Sequence, residues 1–292
     1  MAEVGLRYLE HLTERDLALL APVAGVTPAD SAAHFRSRPQ LVEPALNDPR
    51  LYERLFVPAD EVESFIPASP FLLFAVVVQR AVAGLRESSF VEERVSGARL
   101  PVFDTATLAD FAADPGRRIF VAEHLSSYTR VANGPVWVRR GDRMRRHRFS
   151  EIDPGQLAAT LPVVTEAERP GIYRRLGDLA LFLTGVFPDH TAGAPVRPID
   201  LERVLHSVPY EGERPDMDTL ASLAGDRGWT GLLEWLGPRW YRQAAARTPL
   251  PTVSSELEDV AERFAPARRF LNVMTDRYLY PARGRWFPGT DG

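Results

Sequence analysis

The chain has 292 residues and a formal net charge of −4, and 45% hydrophobic with 25% charged residues is an ordinary globular composition. It contains no cysteine, which excludes disulfides, thiolate zinc sites, iron–sulfur clusters and thiol nucleophiles. All 35 of its lysine-or-arginine residues are arginine, which excludes a lysine Schiff base and the phosphate-binding lysine of a P-loop.

Helix signals dominate the first half of the chain. Thr13 is followed three residues later by Asp16, which resembles a capping box. Ser69 and Pro70 predict the N-cap and the first position of a long helix; its β-branched residues favour a strand, but its unbroken length favours a helix. The residues after Phe103 predict two helices that meet at a hinge over 114–116.

The longest apolar run lies at the start of that long helix and indicates a compartment. It covers Pro70–Val78, far fewer residues than the roughly 18–20 that cross a bilayer. The first residues of the chain include acids and arginines where a signal peptide needs an uninterrupted apolar segment. We therefore expect a cytoplasmic protein with no membrane partner.

The middle of the chain interrupts the helical pattern with a predicted β-hairpin. Gly141-Asp142 suits a two-residue type II′ turn, because glycine tolerates the positive φ that this turn requires. In that register Arg140 lies opposite Arg143. The further pairs are Val138 with Arg145, Trp137 with Arg146, and Val136 with His147. The second strand is polar on both faces until Phe149, so we expect a solvent-facing ribbon.

This hairpin carries a concentration of positive charge. Residues 134–150 hold six arginines and one acid, a local balance of +5, which leaves −9 on the remaining 275 residues. The candidate anion-binding residues are Arg139, Arg140, Arg143, Arg145, Arg146 and Arg148. Three partners are open: acidic groups of the same chain, beginning with Glu151 and Asp153; nucleic acid; or an acidic protein.

Helices are predicted again after the hairpin. A short helix follows it, and Thr165 with Glu168 forms a capping-box pattern for a helix that ends at Pro188. The final helix is predicted to begin at Ser255 and to present one apolar stripe over about six turns, with a kink at Pro266.

These elements predict a mainly α protein, a multi-helix globular bundle with one small basic β-hairpin near residues 135–149. We expect an N-terminal helical region over 1–133, the hairpin over 134–150, and a C-terminal helical region over 151–292. The two helical regions are expected to form one compact unit.

Asp178 is the second unusual position, because it lies in a run of otherwise apolar residues on a predicted helix. Gly177 beside it suggests that another helix passes close by. Asp178 is either buried and paired, with Arg174 one turn back as the partner, or it is a general base or polar anchor in a pocket. His190, after the end of that helix, is a further pocket candidate.

Metal and nucleophile motifs are missing from the sequence. The six histidines include no HxxxH pair, and no glutamate precedes a histidine by three residues. GxSxG, GxGxxG and HExxH are also missing. The sequence therefore identifies no catalytic residue, and we expect no metal and no cofactor.

Three segments carry a resemblance. RRHRFSEIDP, RRLGDLALFLTGVFPDH and RRFLNVMTDRYL resemble a group of uncharacterised proteins from high-GC actinobacteria, and the likeness runs from about Ser69 onward. It implies a lineage, which agrees with the missing lysine, and no activity.

The sequence favours a non-catalytic binding or interaction module whose arginine-rich hairpin contacts an anionic partner, with nucleic acid as one candidate. The first alternative is an enzyme or small-molecule binder with a helical pocket around Asp178. The second is a purely structural subunit of a homo-oligomer.

Overall fold

A computed structural model describes residues 2–56, 68–95, 98–131, 133–140, 143–193, 196–208 and 228–279; within 94–95 and 133–149 it describes the backbone. The described chain is mainly α-helical, as the sequence predicts. Its fifteen α-helices are α1 (Ala2–His11), α2 (Glu14–Ala24), α3 (Ser31–Ser37), α4 (Val42–Leu46), α5 (Pro49–Phe56), α6 (Pro70–Glu87), α7 (Thr105–Ala113), α8 (Pro115–Ser127), α9 (Pro154–Ala158), α10 (Arg169–Val186), α11 (Pro188–Gly193), α12 (Pro198–His206), α13 (Trp229–Ala245), α14 (Pro251–Glu262) and α15 (Phe264–Met274). A 3₁₀ turn covers Pro39–Leu41, and a π-helical turn covers Thr275–Leu279.

The predicted hairpin is present and has the predicted register. Strands β3 (Asn133–Arg140) and β4 (Arg143–Ser150) are antiparallel. Their partners include Arg140 with Arg143, Val138 with Arg145, Trp137 with Arg146, and Val136 with His147. The two turn residues, 141 and 142, lie outside the described residues.

A second two-stranded sheet was missed by the sequence analysis. It consists of β1 (Val91–Val95) and β2 (Ala98–Val102). Glu93 of β1 is buried between two arginines of α15: Arg268 Nη2 donates to its Oε1 at 2.7 Å, and Arg269 Nε to its Oε2 at 3.2 Å. A charged residue at the centre of a short strand hides the usual strand pattern, and its burial depends on partners about 175 positions away.

The chain divides into two compact units. The first contains the described residues within 1–91, 102–129 and 277–286, and the second those within 92–101, 130–276 and 287–292. The division of the chain at residues 133 and 150 stays a prediction. Among the helices of the described ranges, none is both long enough and apolar enough to cross a membrane.

The first unit is built around α6, which packs against α5, α7 and α8. Twelve of its eighteen residues are buried, so the segment is a helix enclosed on most sides, as predicted. Ser69 caps it by accepting a hydrogen bond from the Leu72 N–H at 3.1 Å. The capping box at Thr13 and Asp16 is also confirmed, and the second oxygen of Asp16 accepts from the Ser69 N–H at 2.8 Å. The buried carboxylate of Asp16 therefore accepts hydrogen bonds at the starts of both α2 and α6.

The second unit is built around α10, which packs against α13 and α15. Gly177 lies where α10 meets α13: a Cβ atom there would stand 2.8–2.9 Å from three ring atoms of Tyr241. The predicted close approach of another helix is thus confirmed. On the same helix, Trp240 donates from its indole N–H to the hydroxyl of Ser207 at 2.7 Å.

Two helix boundaries differ from the predictions. Thr165 donates its N–H and hydroxyl to the Glu168 carboxylate, but the Glu168 N–H bonds to the Thr165 carbonyl instead of its side chain, and α10 begins only at Arg169. The final helix begins at Pro251 and breaks at Arg263 rather than kinking at Pro266. The break places Pro266 in the first turn of α15, where its missing N–H leaves no helical hydrogen bond unmade.

Candidate functional site

The second unit contains a cavity of about 230 Å³. Residues from five short stretches of the chain line it: Ile152, Asp153, Pro154, Leu183, His190, Thr191, Arg197, Asp200 and Trp229. Acidic, basic, aromatic and aliphatic side chains thus meet in one small space. Such a mixture of an apolar wall and a few polar groups is typical of small-molecule sites.

The start of α9 forms one side of the cavity. Asp153 is the N-cap of α9: its Oδ1 accepts from the backbone N–H of Gln156 at 3.0 Å, and its Oδ2 from the Gln156 side-chain amide at 2.6 Å. The amide oxygen of Gln156 in turn accepts from the N–H of Ser150, the last residue of β4. These bonds fix the position of the Asp153 carboxylate relative to the backbone.

Gly155 allows α12 to approach α9. A Cβ atom at Gly155 would stand 2.7 Å from both Cβ and Oδ1 of Asp200, so any larger residue would displace that carboxylate. Asp200 is 2% exposed. The close approach of the two helices is what brings the carboxylates of Asp153 and Asp200 to the same cavity.

Four charged side chains form an alternating chain along this wall. Arg197 donates from Nε to Asp200 Oδ2, and its Nη2 lies 3.9 Å from Asp153 Oδ2. Arg203 Nη1 donates to Asp200 Oδ1 at 3.1 Å. Asp200 is therefore compensated by two guanidinium groups, whereas Asp153 has only the more distant contact with one of them. Asp153 is the less compensated of the two carboxylates.

The rest of the lining is mostly apolar. Ile152, Pro154, Leu183 and Trp229 contribute aliphatic and aromatic surface. The hydroxyl of Thr191 lies 2.9 Å from the carbonyl oxygens of both Leu183 and Phe187, to which it is a donor. The pocket candidates from the sequence were Arg174, Asp178 and His190. Of these three, His190 lines the cavity, and its side chain is exposed.

The charges of the lining favour a positive ligand over a negative one. Counting Asp153, Asp200 and Arg197, and taking His190 as neutral, the described residues of the lining carry −1. Among the described residues, no group of three histidine, aspartate or glutamate side chains could hold a metal ion.

Asp178 lies in the core between α10 and α13. It is 8% exposed, and Tyr241 donates its hydroxyl hydrogen to Asp178 Oδ1 at 2.8 Å. The nearest Arg174 nitrogen, Nε, is 3.9 Å from Oδ2. Asp178 is therefore buried, with Tyr241 as a close hydrogen-bond partner and the predicted partner Arg174 farther away. Neither Asp178 nor Arg174 is among the described residues that line the cavity.

The six candidate anion-binding arginines are distributed evenly over the ribbon. Residues opposed in an antiparallel register share a face, and the face alternates along each strand. The register therefore assigns three arginines to each face: Arg140, Arg143 and Arg145 to one, Arg139, Arg146 and Arg148 to the other.

The two acids that follow the ribbon have partners elsewhere. Glu151 Oε1 lies 2.6 Å from Arg175 Nε on α10. Asp153 is bound by Gln156 and Arg197, as described above.

Of the residues that line the cavity, His190 was predicted from the sequence as a pocket residue, whereas Asp153, Arg197, Asp200 and Trp229 were not. A signal was present at two of them: Asp153-Pro154 and Arg197-Pro198 both read as helix starts, where caps and first-turn charges gather. Which two helix starts meet is decided by the tertiary packing through Gly155, and no local pattern carries that information.

The resemblance to an actinobacterial group stays a prediction. The chain was compared with models of protein families, with curated proteins and with solved structures, and none of the three comparisons returned a match.

Proposed function

We propose that this protein is a cytoplasmic, non-catalytic binding module that contacts an anionic partner through the arginine ribbon of β3 and β4, and that the partner is a nucleic acid. The observation that carries the proposal is the register, which assigns three arginines to each face of a sheet with two strands. Arginines opposed or adjacent on one face repel one another, and an external polyanion relieves that repulsion.

The distribution of charge along the chain supports a local contact. The ribbon segment carries +5 and the rest of the chain −9, so a polyanion is attracted at the ribbon and repelled over the remaining surface. The guanidinium fork matches pairs of phosphate oxygens, and a nucleic-acid backbone presents many phosphates at close, regular spacing.

The test is a salt series with labelled duplex DNA and single-stranded RNA. Three or four phosphate contacts predict that log K falls with log salt at a slope of about −3, from about −0.9 per contact. The variant Arg143→Ala/Arg145→Ala/Arg146→Ala should bind weakly, with a slope close to zero.

A matched control removes the same charge elsewhere. Arg36, Arg50 and Arg86 are exposed residues of the first unit, and the triple alanine variant at these positions changes the net charge equally. It should bind like the wild type. An equal loss of affinity in both variants would show that net charge alone explains the binding. No binding by the wild type at low salt would refute the proposal. Tighter binding to polyglutamate than to DNA would move the partner to an acidic protein.

A further inference from the structure

We propose that the cavity between α9, α11 and α12 binds a small organic monocation, an ammonium or guanidinium group that carries a short apolar substituent. This site shares no residue with the arginine ribbon, and the proposal is independent of the nucleic-acid contact.

The first argument is the uneven compensation of the two carboxylates. Asp200 has one guanidinium on each oxygen, Arg197 on Oδ2 and Arg203 on Oδ1. Arg197 is thereby engaged, and its remaining contact with Asp153 is long, at 3.9 Å. Among the described residues, the other donors to Asp153 are the neutral N–H groups of Gln156. A carboxylate offers about four lone-pair directions, so Asp153 keeps acceptor capacity for a cationic donor.

The second argument is the apolar part of the lining. Trp229 lines the cavity together with Ile152, Pro154 and Leu183. A cation is attracted by an aromatic ring, and more strongly where water is excluded. The aliphatic residues suit an alkyl substituent on the cation. A carboxylate and an aromatic residue in one small cavity are the groups that recognise organic ammonium ions.

The third argument is size. A volume of about 230 Å³ lies below the roughly 300–1,000 Å³ of sites for drug-sized ligands. The occupant is therefore a small amine or guanidine. Among the described lining residues, a phosphate or carboxylate of the same size would meet two aspartates and one arginine, and that arginine is already bound to one of the two aspartates.

The experiment compares probes of nearly equal size and different charge. Binding of n-butylammonium, tetramethylammonium, neutral 1-pentanol and anionic butyrate is measured by ligand-detected NMR titration. For ligands of about five non-hydrogen atoms we expect a Kd of about 1 mM for the ammonium ions. 1-Pentanol and butyrate should bind at least about tenfold more weakly, because neither carries the positive charge that the Asp153 carboxylate attracts.

Variants locate the site. Asp153→Asn should lower the affinity for n-butylammonium at least about tenfold, since it removes a charged acceptor. Asp153→Ser also removes the charge but keeps a good N-cap for α9, so it tests the proposal if the asparagine variant folds poorly. Asp259→Asn, on α14 and outside the lining, is the matched control and should bind like the wild type.

The aromatic wall has its own pair of variants. Trp229→Leu should weaken n-butylammonium about two- to fivefold, whereas Trp235→Leu, on the same helix but outside the lining, should not. Thermal melts verify that each variant is folded. The proposal is wrong if butyrate or 1-pentanol binds as tightly as the ammonium probes. It is equally wrong if neither ammonium binds, or if both Asp153 variants bind like Asp259→Asn.

Discussion

Asp178 and Asp200 are both buried carboxylates of the second unit. Each lies at a point where a glycine lets two helices approach closely. At Asp178, Gly177 admits the ring of Tyr241, whose neutral hydroxyl donates to the carboxylate inside the core. At Asp200, Gly155 admits the carboxylate itself, which is held by two arginines on the wall of a cavity. The same feature, a missing Cβ, therefore allows a carboxylate with a neutral, buried partner in one place and a carboxylate with partly exposed arginine partners in the other.

The difference shows what a buried acid indicates. An isolated aspartate in an apolar helix marks a tight helix contact, because a neutral donor on the facing helix satisfies it. An aspartate near a helix start, among arginines at spacings of three, marks a charged surface that folding can place beside a cavity. The contribution of the Asp178 contact to stability should depend on packing, and that of the Asp200 contact should depend on ionic strength.

The largest effect is expected where the helix contact is overpacked. Gly177→Val places branched carbon atoms in the ring of Tyr241, and we expect a loss of about 3 kcal/mol of unfolding free energy. Gly171→Val on the same helix is the control, because a Cβ atom there meets nothing within 4 Å. Urea denaturation measures both, and equal losses would show that the helix contact is not tight.

The buried hydroxyl of Tyr8, in the first unit, should make the unfolding free energy depend on pH. Burial, reinforced by the charge of Glu43, raises the pKa of Tyr8 from 10.0 to about 12, while Gln79 donates to its hydroxyl at 3.0 Å. The unfolded chain ionises first, so the stabilisation is complete below pH 10 and is lost as the pH rises toward 12. The loss amounts to about 2–3 kcal/mol.

Tyr8→Phe isolates this contribution. In that variant the fall of unfolding free energy between pH 10 and 12 should be smaller by the same amount. Tyr52→Phe, at a partly exposed tyrosine, should leave most of the fall in place. Parallel pH profiles for the wild type and Tyr8→Phe would contradict the assignment.

The next effect concerns the sealed carboxylate itself. Asp178→Ala leaves the buried Tyr241 hydroxyl without its acceptor, and we expect a loss of about 2 kcal/mol. Leaving a buried arginine without its carboxylate would cost more, but Arg174 is partly exposed and its contact with Asp178 is long, at 3.9 Å. In a double-mutant cycle with Tyr241→Phe, the coupling should be about 1 kcal/mol. Zero coupling would show that the hydroxyl does not depend on Asp178.

Local signals predicted the parts of the fold whose geometry is decided locally. The register of the ribbon was predicted from Gly141-Asp142, a dipeptide that suits a two-residue turn, and the start of α6 was predicted from Ser69 and Pro70. The end of the chain was harder, because the apolar stripe of α14 and α15 is continuous across the break at Arg263. A stripe shows which face is buried, but not whether the backbone continues.

The candidate site needed information that the sequence does not carry locally. The strand around Glu93 reads as polar until Arg268 and Arg269 bury it, and the cavity exists because Gly155 lets Asp200 approach. Asp178 was conspicuous for the opposite reason: its apolar neighbours made one charge stand out. The isolated charge is sealed in the core, whereas the cavity residues are unremarkable in the sequence.

The smallest effect should separate the two aspartates by salt. Asp200→Ala removes the carboxylate that Arg197 and Arg203 share. Their side chains are 63% and 33% exposed, so water replaces it and the loss should be only about 1 kcal/mol at low salt. At about 1 M salt the Debye length falls to roughly 3 Å, and this loss should shrink. The loss caused by Asp178→Ala should stay constant, because its main partner is a neutral, buried hydroxyl. Urea denaturation of both variants across a salt series measures the contrast. If salt reduced the losses of unfolding free energy in both variants equally, Asp178 would be held mainly by charge. The distinction between the two aspartates would then not hold.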